Sequence, residues 1–127
     1  LYTRLTVREN LTFLLAARGI GCEDGALQEL LVRVGLPAEV LPRMTGQLST
    51  GMRQRVRLAV VLGTDAEVWL LDEPGLALDE QGRALLLNEA RAAAKRGRLI
   101  LWATNEPEER KAADACFDLT SDTQCRP

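Results

Sequence analysis

Histidine is missing from this 127-residue chain altogether, and aromatic residues make up only 4% of it. The first absence removes the side chain that ordinarily titrates near neutral pH and most often ligates metals. The second leaves few rings on which single-stranded nucleic acid could stack. Lysine is almost as scarce. Only Lys95 and Lys111 occur and neither follows a glycine, so the phosphate-cradling pattern G-x-x-x-x-G-K-[ST] is found nowhere in these residues. The three cysteines, Cys22, Cys116 and Cys125, form no C-x-x-C pair, which suggests neither a zinc site nor a disulfide framework and fits a reducing, cytoplasmic setting. No apolar run nears the ~20 residues that span a bilayer, and no signal-peptide pattern is seen. A formal net charge of -2 supplies no field that would draw the chain onto nucleic acid or an anionic membrane. Nucleic acid is therefore not the expected partner.

What remains is plentiful aliphatic material. A hydrophobic content of 46% in one domain's length can bury a core of helices on a sheet. Thr6-Val7-Arg8-Glu9 has the form of a capping box and predicts a helix from about Val7 to Arg18. Leu27, Leu30, Leu31 and Val34 recur at helical spacing after Asp24, and Gly35 is placed to end that helix in a left-handed turn. Pro37 and Pro42 mark a connector. A third helix is expected from Gly51 to about Leu62, with Ser49 as its N-cap and arginines 53, 55 and 57 on its more polar positions. Val68-Trp69-Leu70-Leu71 and Leu99-Ile100-Leu101-Trp102 read as strands buried on both faces. An Ala- and Leu-rich helix from about Glu80 to Arg96 lies between them, and Gly97 stops it. A helix from Glu106 to Ala113 and a short strand from Cys116 to Leu119 complete the expected α/β order, with a parallel sheet.

In such sheets ligands gather beyond the carboxyl ends of the strands, and here those ends read Asp72-Glu73 and Thr104-Asn105. An aspartate fixed at a strand end can hold Mg²⁺ directly or through water. Glu73, one residue on, could orient or deprotonate a water. The pair also reads as a solvated strand end before a Pro-Gly turn. Leu48-Ser49-Thr50-Gly51-Met52 opens a helix whose free amides and dipole favour an anion, with Gly51 allowing close approach. A plain serine N-cap would give the same pattern.

In combination these segments resemble the ATP-binding subunits of ABC transporters. Leu48 to Val56 is similar to the family's signature and its helix, Val68 to Glu73 to Walker B with its adjoining glutamate, and Pro74 to Asp79 to the D-loop. Leu99 to Asn105 is similar to the strand entering the switch loop, and Leu5 to Leu11 to the opening of the helical subdomain. The resemblance implies a partial P-loop NTPase fold in which residues 1–47 form a permease-facing helical subdomain and 48–127 part of the ATPase core. It also implies ATP and Mg²⁺ as ligands, a second ATPase subunit and a membrane permease as partners, and a place on the cytoplasmic face of the inner membrane. On the family pattern, Asp72 holds the metal, and Glu73 and Asn105 are the catalytic positions. Ser49, Thr50, Gly51 and Met52 contact the nucleotide of the partner subunit, and Asp79 links the two sites across the dimer. The Gly-Met-Arg-Gln-Arg wording and Leu78-Asp79-Glu80-Gln81-Gly82 are similar to small exporter ATPases, including the haem exporter of cytochrome c maturation.

Three departures stand beside the resemblance. The phosphate-binding loop, the adenine-stacking aromatic and the glutamine of the glutamine loop are not among these residues. Asn105 stands where the family has its switch-loop histidine, and an amide can donate a hydrogen bond but cannot become a cation. Met52 replaces the signature glutamine, and Thr50 a glycine. An opening at Leu1, inside a helix-start pattern, is expected of an excerpt from a longer ATPase. The alternative is a nucleotide-blind remnant that binds a partner ATPase or permease.

Overall fold

Thr6 starts the first helix by reciprocal capping: its hydroxyl accepts from the Glu9 amide while Glu9 Oε2 accepts from the Thr6 amide at 2.7 Å. A computed structural model of the chain describes residues 1–64, 66–118 and 123–125, the last three as backbone. Helix α1 (Val7–Ala16) ends two residues before the expected Arg18, where Gly19 turns at φ 74°. Helix α2 (Asp24–Arg33) ends at Gly35, φ 71°, whose conformation a residue with a Cβ adopts only with strain. Two single 3-10 turns, Ala38–Val40 and Thr45–Gln47, carry the connector.

Asn10 fastens this region from inside. It is fully buried, its Oδ1 accepts from the Tyr2 amide at 2.7 Å, and its Nδ2 donates to Thr6 O and to Thr45 Oγ1. A buried amide with its polar atoms paired sets a unique arrangement, because any other packing would leave them without partners.

Helix α3 (Thr50–Gly63) follows Ser49, and its buried residues Val56, Leu58, Ala59 and Leu62 recur at helical spacing toward α1 and α2. Gly63 sits where a Cβ would press on the methyls of Leu15 and Leu30 at 2.9 Å, so a larger residue there would push those side chains aside. One apolar cluster runs from Val7 to Ala93, continuous across residues 47 and 48.

Strand β1 (Val68–Asp72), helix α4 (Glu80–Lys95) and strand β2 (Leu99–Ala103) form a β-α-β unit. The strands pair in parallel with Val68 opposite Leu99, Leu70 opposite Leu101 and Asp72 opposite Ala103. The expected burial on both faces is not what the structure shows. Trp69 and Leu71 point inward at 2% and 9% exposure, whereas Val68, Leu70, Leu99 and Leu101 on the opposite face are 48%, 75%, 54% and 53% exposed. Residues alternate between faces along a strand, and among the described residues only one face has a covering layer.

Helix α5 (Pro107–Lys111) is shorter than the expected Glu106 to Ala113. Proline at its first position presets the helical φ, and Glu106 remains extended as the N-cap. Strand β3 (Cys116–Asp118) pairs antiparallel with β4 (Thr123–Cys125), and Leu119, expected to close β3, lies outside the described residues.

Candidate functional site

Asp72 is the last residue of β1 and is exposed, on the same face as Val68 and Leu70. Glu73 follows at φ 43°, a left-handed conformation uncommon for a residue with a side chain, and its amide donates to Ala103 O at 2.9 Å. That bond extends the pairing with β2 by one step while the chain turns away. The side chain is thereby presented at the strand ends, where Asn105 Nδ2 donates to Glu73 Oε1 at 2.8 Å. The two positions expected to be catalytic, 32 residues apart in sequence, are in direct contact.

The segment after Glu73 is folded back by Leu76 N to Glu73 O at 3.0 Å and Leu78 N to Gly75 O at 3.1 Å, with Ala77 also left-handed at φ 66°. Such residues each cost about 1–3 kcal/mol and persist where the surroundings hold them. Gln54 supplies part of that hold, its Nε2 donating to Pro74 O at 3.0 Å from the middle of the signature helix. Gly51 supplies another, since a Cβ there would lie 2.8 Å from Ala77 O. The glycine expected to admit a phosphate is thus already required by the neighbouring loop.

The other signature residues are placed as follows. Ser49 is exposed and its Oγ accepts from Met52 N at 3.1 Å, which leaves its hydroxyl proton available as a donor. Thr50 Oγ1 accepts from Arg53 Nη2 at 3.2 Å, and Arg53 Nη1 also donates to Leu48 O. Met52 turns its side chain partly into the apolar cluster, so only its backbone belongs to the helix opening, and that amide is bonded to Ser49.

Asp79 caps α4. Its Oδ1 accepts from Gly82 N at 2.8 Å and from Arg55 Nη2 at 2.6 Å. Arg55 also donates to Val34 O at 3.0 Å, and its side chain is only 11% exposed, so it is a buried tie between α2, α3 and α4 and no part of a polar surface. Sequence periodicity could not separate Arg55 from Arg53 and Arg57; only the packing of Gly35 against it does.

The Asp79 carboxyl is held below the ordinary aspartate range, chiefly by the Gly82 amide and further by Arg55. Glu9 is lowered chiefly by the backbone hydrogen bond from Thr6. Both groups bind protons more weakly folded than unfolded, so their stabilisation is complete above the ordinary carboxylate values of about 3.9–4.3 and is lost as pH falls through the folded values. Denaturant midpoints are expected to decline below about pH 4.5, and Asp79→Asn with Glu9→Gln to flatten that decline. An unchanged slope would show that other carboxylates carry it.

Asp72 lies exposed at a strand end beside Glu73, and the 14-residue α3 opens close to the loop that follows them. One fixed carboxylate is the usual protein contribution to a magnesium ion that completes its shell with phosphates and water. The residues present fit a Mg²⁺-nucleotide in that sense.

A parallel β-α-β unit with acidic residues at its strand ends and a capped helix against the following loop has the α/β form of a P-loop NTPase-type fold. The ABC transporter family matches residues 1–75, and the chain belongs to that family. It is 38% identical over 103 residues to the cytochrome c biogenesis ATP-binding export protein CcmA of Sodalis glossinidius, covering 81% of this chain and 48% of the relative. It is 36% identical over 122 residues to the "Probable multidrug ABC transporter ATP-binding protein YbhF" of Escherichia coli K12, covering 94% of this chain and 20% of the relative. Among solved structures, the dimeric bacterial ABC transporter cassette MJ0796 superposes with a TM-score of 0.79 at 23% identity, over 91% of this chain and 52% of that one. The chain therefore spans about half the length of CcmA and of that cassette. Among the described residues no helix is long and apolar enough to cross a membrane.

Proposed function

We propose that these residues act as the signature and Walker B half of an ATP-hydrolysing subunit that powers an ABC transporter. The single observation that carries this is the Glu73–Asn105 contact: a carboxylate on a strained turn, bonded at 2.8 Å to a residue two positions beyond the end of the neighbouring strand. Glu73 is the general base that prepares water for attack on the terminal phosphate. Asn105 holds the carboxylate and can donate to a phosphate oxygen, though without a positive charge. Asp72 holds Mg²⁺, which when bound withdraws charge from the phosphates.

The open face of the sheet bears on how the site is completed. Asp72 projects from the same face as Val68 and Leu70, so a phosphate-binding segment covering that face would meet the carboxylate. Ser49, Thr50 and Gly51 at the opening of α3 serve the nucleotide of a second ATPase subunit, as the dimeric form of the MJ0796 cassette supports. Asp79 couples the two sites, with residues 1–47 meeting a membrane permease on the cytoplasmic side. The CcmA likeness favours an exporter.

The alternative, a nucleotide-blind partner-binding remnant, draws on the neutral Asn105 and on the lack of a phosphate-binding loop in these residues. Intact mass and ATP turnover of the protein isolated from its own cells separate the two. A mass well above 14.0 kDa with Mg²⁺-dependent ATP hydrolysis is the expected result. A mass near 14.0 kDa without ATP binding would establish the alternative.

A further inference from the structure

Glu109 is the one carboxylate buried among the described residues, at 6% exposure, and no part of the proposed chemistry uses it. Its Oε2 accepts from Trp102 Nε1 at 2.9 Å, while Oε1 is shut away from solvent with no hydrogen-bond partner. Burying a carboxylate with an unsatisfied oxygen is costly, so its placement calls for a reason.

The contacts supply one. Trp102 lies on β2 and Glu109 on α5, so their bond closes a short loop that contains Thr104 and Asn105. Within that loop Thr104 Oγ1 accepts from Glu106 N at 3.0 Å, which tightens the turn carrying Asn105. On its other side Glu109 Oε1 lies against Gly75, so close that a Cβ on Gly75 would overlap it. Gly75 belongs to the turn that starts at Glu73. One carboxylate therefore touches both loops whose side chains meet in the Asn105–Glu73 bond.

We infer that Glu109 is a positioning residue, which sets the separation of the Glu73 and Asn105 loops and keeps the Asn105 amide on the Glu73 carboxylate. Its effect on turnover rests on the ATPase reading above; its effect on geometry does not. The full-length native protein, labelled with ¹⁵N, provides both measurements. Glu109→Ala is expected to shift the Asn105 side-chain amide resonance, assigned by its loss in Asn105→Ala, and to lower kcat for ATP about tenfold to a hundredfold with KM little changed. Glu109→Gln, whose amide oxygen can still accept from Trp102, restores most of both. Gly75→Ala, which leaves the carboxylate in the chain but pushes it aside, reproduces the Glu109→Ala effects and serves where that variant does not fold. An unmoved Asn105 resonance in folded Glu109→Ala or Gly75→Ala overturns the inference. Should the wild-type protein fail to hydrolyse ATP, the ATPase reading falls, and the resonance alone still decides for or against the positioning role.

Discussion

Glu73→Gln is expected to lower ATP turnover of the native protein by about 10²- to 10⁴-fold, the usual worth of a positioned general base, while ATP affinity changes little. The physical basis is separability. The glutamine carbonyl can still accept from Asn105 Nδ2, so the 2.8 Å contact and the turn it supports persist. What is lost is the ability to take a proton from water. Asp72, the proposed Mg²⁺ position, is left intact, so binding and hydrolysis should part company. Single-turnover hydrolysis alongside equilibrium nucleotide binding measures both. Turnover within threefold of wild type would mean that water is prepared elsewhere, and the assignment of Glu73 would be wrong.

The open sheet face leads to an effect of similar size on assembly. Val68, Leu70, Leu99 and Leu101 lie side by side across β1 and β2 with about half or more of each exposed. Fully covering an exposed side chain of this kind is worth about 1.5–3 kcal/mol, so covering these four, each already partly covered, is worth about 3–7 kcal/mol as an upper bound. That is comparable with the entire stability of a typical domain, about 5–15 kcal/mol. The 127-residue chain taken alone is therefore expected to bind a hydrophobic dye, to self-associate and to unfold without a sharp transition. Leu70→Glu with Leu101→Lys should restore a monomer in the isolated chain, because the two positions are direct cross-strand neighbours and can pair as opposite charges. On the ATPase reading, the same double variant in the native protein is expected to lower ATPase activity strongly, since a phosphate-binding segment packed on that face would bury those charges. Sedimentation of the two isolated chains decides the matter: a wild-type monomer with cooperative melting would show that the face needs no cover.

Local signals account for what could be read along the chain. The Thr6–Glu9 capping box, the Ser49 and Asp79 caps and the turns at Gly35 and Gly97 depend on residues within a few positions of each other, so they determine helix starts and stops wherever the chain folds. Helical spacing and continuous apolar runs likewise mark α1 to α4 and the two parallel strands. The strand-end acids Asp72 and Glu73 and the signature opening at Ser49 were legible as chemistry because each sits at a recognisable element boundary.

Contacts between distant residues were decided only by the tertiary structure. The sequence marks Asn105 as a departure from the family's histidine, but pairing with Glu73 follows from the parallel register that sets Asp72 beside Ala103. Arg55 looked like its neighbours Arg53 and Arg57 until Gly35 and Asp79 closed around it. Glu109 looked like one more charge in Glu106-Pro107-Glu108-Glu109, and its burial against Trp102 and Gly75 has no local signature. The apolar runs at 68–71 and 99–102 mark strands correctly but lead to the expectation of two covered faces where only one is covered among the described residues, since hydrophobic composition is the same for a face already packed and one awaiting a partner. Periodicity is a property of neighbours along the chain; coverage, pairing and the meeting of Glu73 with Asn105 are properties of elements that the chain brings together from far apart.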